Sequence, residues 1–383
     1  MTELQLSKAK KKILHIISGL NLGGAENTLL KLCSLSNKNK FQHIVISLTG
    51  SGDIGLKFKK NNIPIYLFKF KKNIFDLIIF YNLVKLISKI KPDLVQTWMY
   101  HADIIGSIAT KISSKAPIYW NLRHGDNISS KFYNPVILIC IFLSNFFPKK
   151  IVSCSLTSSK YHADLGYPSN KFHFIPNGFD LSYFSYNQLL RKKFRRRYGL
   201  THDDYLVGMP ARFHAQKDHE TFIKASAEVI KKIPNCFFIL CGSDISNKNK
   251  SLIDLLKKYN LERHFFLLGK RSDMNTIYSS LDVCCLTSSY GEAFPNILAE
   301  AMATKVPCVS TNVGDAKYIL GEKGYIIPIK SYKKLAFYIV RLLSMNSNQK
   351  LYFGNQCRDR VLKNFSIDLF IREYEDLYLK ELT

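Results

Sequence analysis

The chain has 383 residues, 46% of them hydrophobic and 13% aromatic, which is ample for two packed domains and long for one. Lys and Arg number 55 against 29 Asp and Glu, a formal net charge of +26, and such an excess calls for an anionic partner: nucleic acid, an anionic membrane or phosphorylated substrates. Nine scattered cysteines without a C-x-x-C pair speak against a disulfide scaffold and for reduced, buried thiols in a cytoplasmic protein. Lys8, Lys10, Lys11 and Lys12 run straight into a strand, so no signal peptide is expected, and the apolar run 135–148 is too short to span a bilayer.

Ile13 to Ile17 reads as the first strand, followed by a loop with Gly23-Gly24-Ala25-Glu26 and a helix from Asn27. A glycine pair between strand and helix lets backbone approach a ligand closely, though alone it is a weak signal. No G-x-x-x-x-G-K-[ST] phosphate loop occurs. Phe41 to Leu48 and Ile63 to Phe70 read as strands, the latter flanked by Lys57, Lys59, Lys60, Lys71 and Lys72. Residues 74–90 have helical period, with Lys85 and Lys89 on the polar side. Two readings stand: a well-buried helix with solvated lysines, or a basic, apolar surface resting on anionic lipid. The run 136–147, bracketed by Lys131 and Lys150, carries the same pair of readings.

Pro92 to Trp98 is a strand leading into His101, and Ile118 to Asn121 one leading into Arg123-His124-Gly125-Asp126. Strands alternating with helices predict a parallel sheet, and ligands gather at the carboxyl ends of its strands. A lone histidine is more often structural, but His101 and His124 follow successive strands, and His124 has Arg123 and Asp126 beside it. Residues 187–200 read as a helical connector whose Arg191, Lys192, Lys193, Arg195, Arg196 and Arg197 are expected to form a solvated face.

A second alternation starts with Leu206 to Pro210. Arg212 and Lys217 follow, where a guanidinium fork and an ammonium can cradle a pyrophosphate. Asp218 or Glu220 opens the next helix, and Lys270-Arg271-Ser272 follows the strand 265–269. Leu281 to Thr287 reads as a buried strand, 288–294 as a loop, and Pro295 as the first position of a helix. The free amides of Phe294, Asn296 and Ile297 then favour an anion. Glu292 and Glu300, with seven residues between them, can accept hydrogen bonds from sugar or ribose hydroxyls. The plainer account is that they complement the helix dipole.

The string Glu-Ala-Phe-Pro-Asn-Ile-Leu-Ala-Glu-Ala-Met-Ala at 292–303 resembles the E-x7-E signature of retaining, nucleotide-sugar-dependent glycosyltransferases of family 4 (glycosyl transferases group 1), which have the GT-B fold. Gly-Gly-Ala-Glu at 23–26, Arg-His-Gly at 123–125, Ile-Pro-Asn-Gly-Phe-Asp at 175–180 and the Arg212-x4-Lys217 pair resemble further stretches of that family. One departure stands out: Lys305 occupies the place of the family's usual Gly, which puts the helix C-cap in question and is expected to place the lysine past the helix end, in solvent.

The resemblance implies two Rossmann-like α/β domains facing across a cleft. Residues 1–186 would form the acceptor-side domain, 187–203 a connector, 204–365 the nucleotide-sugar domain, and 366–383 a helix crossing back to the first domain. It assigns catalysis to His124 and Glu292. Donor binding falls to Gly23, Gly24, Arg212, Lys217, Arg271, Phe294, Asn296, Ile297 and Glu300, and the acceptor side to His101 and Arg123. It implies no metal and no other cofactor. The implied partners are a uridine nucleotide-sugar, a lipid-linked glycan or saccharide acceptor of capsule or lipopolysaccharide, and an anionic membrane surface at the inner face of the plasma membrane. Nucleic acid ranks lower, because no aromatic-basic motif of the usual modules occurs. A sugar-nucleotide epimerase of the same fold and a non-catalytic nucleotide-sugar or lipid-binding subunit remain as alternatives.

Overall fold

The computed structural model describes residues 9–21, 23–70, 76–123, 125 and 135–383. These fall into two compact units: the first runs to Pro176 and takes in Phe370–Thr383, and the second holds Gly125 and Asn177–Leu369.

The first unit is built on seven strands: β1 (Lys11–Ile17), β2 (Phe41–Ser47), β3 (Ile65–Leu67), β4 (Leu94–Trp98), β5 (Ile118–Leu122), β6 (Pro148–Ser153) and β7 (Phe172–Phe174). They pair in parallel in the order β3-β2-β1-β4-β5-β6-β7. Helices cover both faces of such a sheet, so its strands are apolar runs rather than alternating ones; β4 and β5 are buried along their whole length. The second unit repeats the plan with β8 (Tyr205–Pro210), β9 (Cys236–Cys241), β10 (Phe265–Leu267), β11 (Val283–Leu286), β12 (Cys308–Thr311) and β13 (Tyr325–Ile327), in the order β10-β9-β8-β11-β12-β13. Strand order reverses between β1 and β4 in one unit and between β8 and β11 in the other. Loops leaving the carboxyl ends of those strand pairs diverge and open the crevices in which α/β folds bind ligands.

Segment 177–187 lies on the second unit for a local reason. The Phe179 amide donates to the Phe365 carbonyl at 2.9 Å, and the Ile367 amide donates back to the Phe179 carbonyl at 2.9 Å. Arg358 donates to the carbonyls of Leu181 and Phe184 at 3.0 and 2.9 Å. The last helix, Ile367–Leu382, packs on the first unit from Phe370 onward, as the resemblance implies. There Tyr374 Oη accepts from Asn121 Nδ2 at 2.8 Å, Tyr378 Oη donates to Gln96 Oε1, and Glu381 accepts from Tyr119 Oη at 3.0 Å.

The connector helix, Gln188–Arg197, is capped by the Asn187 side chain. Its basic run is not a plain solvated face. Arg191 and Arg195 turn inward onto the two carboxylate oxygens of Asp282, at 2.6 and 2.8 Å, and only Lys192, Lys193, Arg196 and Arg197 face solvent. All nine cysteines are buried, and none of them is in a disulfide. Helix Leu77–Ile90 exposes Leu77, Ile78 and Tyr81, while Leu138, Ile139 and Phe142 are exposed on helix Pro135–Ser144. Neither is the well-buried helix of the first reading. Lys71, Lys72 and Lys131 lie outside the described residues. No helix among the described residues is long and apolar enough to cross a membrane.

Candidate active site

The loop after β8 turns on Asp218, which holds a left-handed φ of 47°, a conformation that costs a non-glycine residue about 1 kcal/mol. Its carboxylate offsets that strain by capping helix His219–Ile230, accepting from the Thr221 amide at 3.2 Å and from Thr221 Oγ1 at 2.7 Å. Lys217, one residue earlier, makes an ion pair with Glu292 from the loop after β11, and both side chains are largely buried. Ser288 Oγ donates to the same carboxylate oxygen at 2.7 Å. The two loops are bonded along their length: Thr287 Oγ1 donates to the carbonyls of Lys217 and Asp218 at 2.8 and 3.0 Å, and the Ser289 amide donates to the Gln216 carbonyl at 2.8 Å. Lys217 and Glu292, 75 positions apart in sequence, thus meet at the β8/β11 reversal.

A third loop, after β12, braces Glu292 from behind. The Asp315 amide donates to the Ala293 carbonyl at 2.9 Å. Gly314 has φ +49°, and a Cβ there would stand 2.3 Å from the Glu292 carbonyl oxygen. Only glycine satisfies both demands.

Pro295 is the N-cap rather than the first residue of the helix, which runs Asn296–Ala303. The displacement by one residue leaves the amides of Phe294, Asn296 and Ile297 at the helix start, without hydrogen-bond partners among the described residues. Phe294 itself is buried between Phe179 and Phe365, at ring-centroid distances of 6.2 and 5.5 Å. Asn296 Oδ1 accepts from Asn177 Nδ2 at 2.8 Å. Glu300, on the same helix, accepts a 2.8 Å hydrogen bond from Tyr278 Oη, whose titration is pushed up by burial and then by that carboxylate.

Lys305 corrects the expectation set by its sequence place. It is half-buried, not in solvent. It adopts φ 63°, its amide donates to Met302 O at 3.0 Å, and the Val306 amide donates to Ala301 O at 3.0 Å. That pair of bonds is the Schellman cap that glycine usually completes, so the helix end is intact with lysine in the strained position.

Arg212 is exposed, within 3.4 Å of Gln216 Oε1. Arg271 does not offer a free fork: it grips both oxygens of Asp273 at 2.8 and 2.6 Å, and the pairing holds the Asp273 carboxyl below the ordinary carboxylate range.

In the first unit, Gly23 caps helix Gly24–Leu35 with extended backbone; a Cβ there would meet Glu26 Oε2 at 2.4 Å, while Gly24 has open space. His101 is exposed in the first turn of helix Tyr100–Ser113. Met99, just before it, has φ 76°, a strained non-glycine conformation at the carboxyl end of β4, where such strain often marks a working site. Arg123 donates to Asn121 Oδ1 at 2.7 Å and to Tyr374 Oη at 2.8 Å, and sits 5.2 Å from the centre of the Trp98 ring. It is therefore built into the first unit's packing. His124 and Asp126 lie outside the described residues. Sequence reading missed Ser288, Thr287 and Gly314. Hydroxyls and glycines in loops are too common to stand out until the loops are seen to touch.

One buried group, His15, Cys33 and His43, has metal-ligand side chains close together. Its hydrogen bonds assign it otherwise. Trp98 Nε1 can only donate, and it reaches His15 Nδ1 at 3.2 Å, so neutral His15 carries its proton on Nε2 and donates that to His43 Nδ1 at 2.8 Å. Burial lowers the titration of both rings, that of His43 to about 4, which keeps them neutral.

Two doubly wound parallel-sheet units, the second with paired carboxylates and cations at its strand-order reversal, are the architecture of GT-B glycosyltransferases. The sequence profile described as Glycosyltransferase Family 4 matches residues 22–183, and that described as Glycosyl transferases group 1 matches residues 191–360; the chain belongs to this family of glycosyltransferases. It is similar to the Escherichia coli UDP-Gal:alpha-D-GlcNAc-diphosphoundecaprenol alpha-1,3-galactosyltransferase, 26% identical over 308 residues and covering 78% of each chain. It is also similar to the capsular polysaccharide biosynthesis glycosyltransferase CapM of Staphylococcus aureus, 25% identical over 322 residues and covering 79% of this chain and 80% of CapM. Among solved structures, Anabaena Alr3699/HepE in complex with UDP superposes with a TM-score of 0.86 at 20% identity, covering 96% of this chain and 100% of the other.

Proposed function

We propose that the chain transfers a sugar from a uridine-diphosphate donor to a lipid-linked or saccharide acceptor of surface polysaccharide, with retention of anomeric configuration and without a metal. The observation that carries this reading is the meeting, at the β8/β11 reversal, of Lys217, Glu292 and the amides at 294, 296 and 297, which have no hydrogen-bond partner among the described residues. The leaving group is a nucleotide diphosphate, whose charge grows as the glycosidic bond breaks. Lys217, Arg212 and those amides bind that growing charge more strongly in the transition state than in the ground state. Glu292, fixed by Ser288 and Lys217, accepts from sugar hydroxyls, and Glu300, fixed by Tyr278, accepts from the ribose. The departing phosphate takes the acceptor's proton on the same face, so no enzyme nucleophile is required. His124 and His101 serve the reaction from the first unit by resemblance alone. The uridine donor is supported by the UDP bound in Alr3699/HepE, and the lipid-linked acceptor by the name of the Escherichia coli relative.

The test supplies the full chain with UDP-, GDP- and ADP-sugars, a polyprenyl-diphosphate saccharide and a chelator, and reads the product anomer by NMR. An axial product formed from an axial UDP-sugar, undiminished by the chelator, is expected. Conversion of the donor's sugar without acceptor would mark an epimerase, and donor binding without turnover would mark a binding subunit.

A further inference from the structure

The inward-facing arginines of helix Gln188–Arg197 border a cavity of about 330 Å³, lined among others by Arg191, Lys192, Arg195, Arg196, Leu200 and His202. Among the described residues no carboxylate lines it, though the lining His202 stands 3.2 Å from the exposed Asp203. Asp282 is the anion bonded to Arg191 and Arg195, and one of its oxygens also takes the Leu206 amide at 2.7 Å. Both guanidinium groups bond directly to the one Asp282 carboxylate, Asp204 attracts Arg195 from farther off while its carboxylate holds Thr201, and burial lowers the titration of Arg195. Arg195 is 6% exposed, and its Nε is buried without a hydrogen-bond partner. At the solvent side of the cavity, Lys192 and Arg196 are exposed and carry no ion pair among the described residues. The wall is thus a preassembled excess of positive charge, held in place by the carbonyls of Ser280 and Asp204, which accept from Arg191 and Arg195 at 2.8 Å each.

The geometry points to a second anion site in this cavity, one that takes a phosphate group, with Lys192 and Arg196 as its exposed donors and the Arg191–Arg195 pair as its charged floor. It is separate from the β8/β11 crevice. Asp282 and Asp204 precede β11 and β8, so the cavity lies at the amino ends of these strands, whereas Lys217 and Glu292 follow their carboxyl ends. The four residues of β11 alone put about 13 Å between the two. A doubly charged phosphate suits the wall: guanidinium forks and an ammonium bind phosphate oxygens well, and the volume holds the group with its waters. The phosphate can come free in solution or on a lipid headgroup, and the same donors would hold either.

The test uses the full chain with Lys217→Ala, which weakens phosphate binding at the β8/β11 crevice, and reads the second site from the difference between two double variants. Melting temperature is measured in inorganic phosphate against chloride of equal ionic strength. A phosphate concentration tenfold above the dissociation constant should raise it by about 2 °C. The rise should vanish in Lys192→Ala/Arg196→Ala and persist in Lys193→Ala/Arg197→Ala, which removes the same charge from the neighbouring surface. Affinity for phosphatidic acid vesicles is then compared between these two double variants. At least a threefold weakening confined to the first assigns the site to a lipid headgroup, and equal affinities assign it to free phosphate. Absence of any phosphate-specific rise, or a rise that survives Lys192→Ala/Arg196→Ala, overturns the site whatever the vesicles do.

Discussion

Glu292 is held by two donors of unequal kind, the Lys217 ammonium and the Ser288 hydroxyl, and that inequality separates the expected phenotypes. Glu292→Gln keeps the shape but loses the charge that balances Lys217 and that is proposed to orient the sugar, so turnover should fall about 100-fold with a smaller change in donor KM. Glu300→Gln keeps the contact with Tyr278 and should chiefly raise donor KM. Lys217→Ala leaves Glu292 part-buried without its cation and removes a phosphate partner, so nucleotide-diphosphate affinity should drop at least tenfold by calorimetry. Wild-type constants in all three would remove this loop from the reaction. Lys305 makes a contrasting case, because its role is conformational. Lys305→Gly relieves the left-handed strain at the helix cap and should raise stability by about 1 kcal/mol in urea titration, with donor binding unchanged. At this scale the sequence disclosed the charged residues, because Glu292, Glu300, Arg212 and Lys217 stand in a spacing with a chemical meaning. It did not disclose that Arg271 is occupied by Asp273 or Arg123 by Tyr374, since those partnerships depend on side-chain direction and, for Tyr374, on a helix some 250 positions away.

Elements were legible where periodicity was strong and misread where charge was taken for solvation. The strands β1, β4, β8 and β11 were evident as short apolar runs, and the strand-helix alternation gave parallel sheets. Helix His219–Ile230 begins where Asp218 can cap it, one of the two starts expected. The basic connector shows the limit: a run of six cations within seven positions looks solvated, yet helical geometry turns Arg191 and Arg195, four apart, to one side, onto Asp282. Sequence alone could not name the partner, because Asp282 arrives just before a strand about 90 positions later. Asp282→Asn would leave those two arginines largely buried without a counter-charge and should destabilise the chain by about 3 kcal/mol. Lys193→Ala and Arg197→Ala, on the outer face, should change it by no more than about 0.5 kcal/mol. Equal losses in all three variants, measured by urea unfolding, would show that the pairing adds no stability.

The molecule as a whole carries two further consequences of its charge and burial. His15, His43 and His219 are buried neutral, the last two with titration lowered to about 4. Above an ordinary histidine pKa of about 6.5, folded and unfolded chains are both unprotonated there and stability is full. Between that value and about 4, only the unfolded chain takes up the protons, so stability is lost as pH falls, by about 2 kcal/mol at pH 5 from His43 alone. Urea midpoints at pH 7.5, 6 and 5 should decline in that order. His43→Gln, which still accepts from His15 but does not titrate, should flatten the decline. The second consequence concerns surfaces. Helices Leu77–Ile90 and Pro135–Ser144 both pack on helix Tyr100–Ser113, so the three form one layer on one face of the first sheet. That layer exposes Leu77, Ile78, Tyr81, Ile112, Leu138, Ile139 and Phe142, with the exposed Lys85, Lys89 and Lys111 among them. Apolar side chains interleaved with cations suit an anionic lipid surface, where each basic residue contributes about 1 kcal/mol and no spanning helix is needed. Two runs some 60 residues apart, each ambiguous as sequence, thus converge on one side. Flotation should carry the protein with phosphatidylglycerol vesicles and leave it behind with phosphatidylcholine, and added salt should weaken the association. Ile78→Glu/Phe142→Glu should lower the bound fraction at least fivefold while leaving transfer to a soluble acceptor unchanged. If wild type ignores anionic vesicles at low salt, this face is not a membrane contact, and the reading of Lys217 and Glu292 is unaffected.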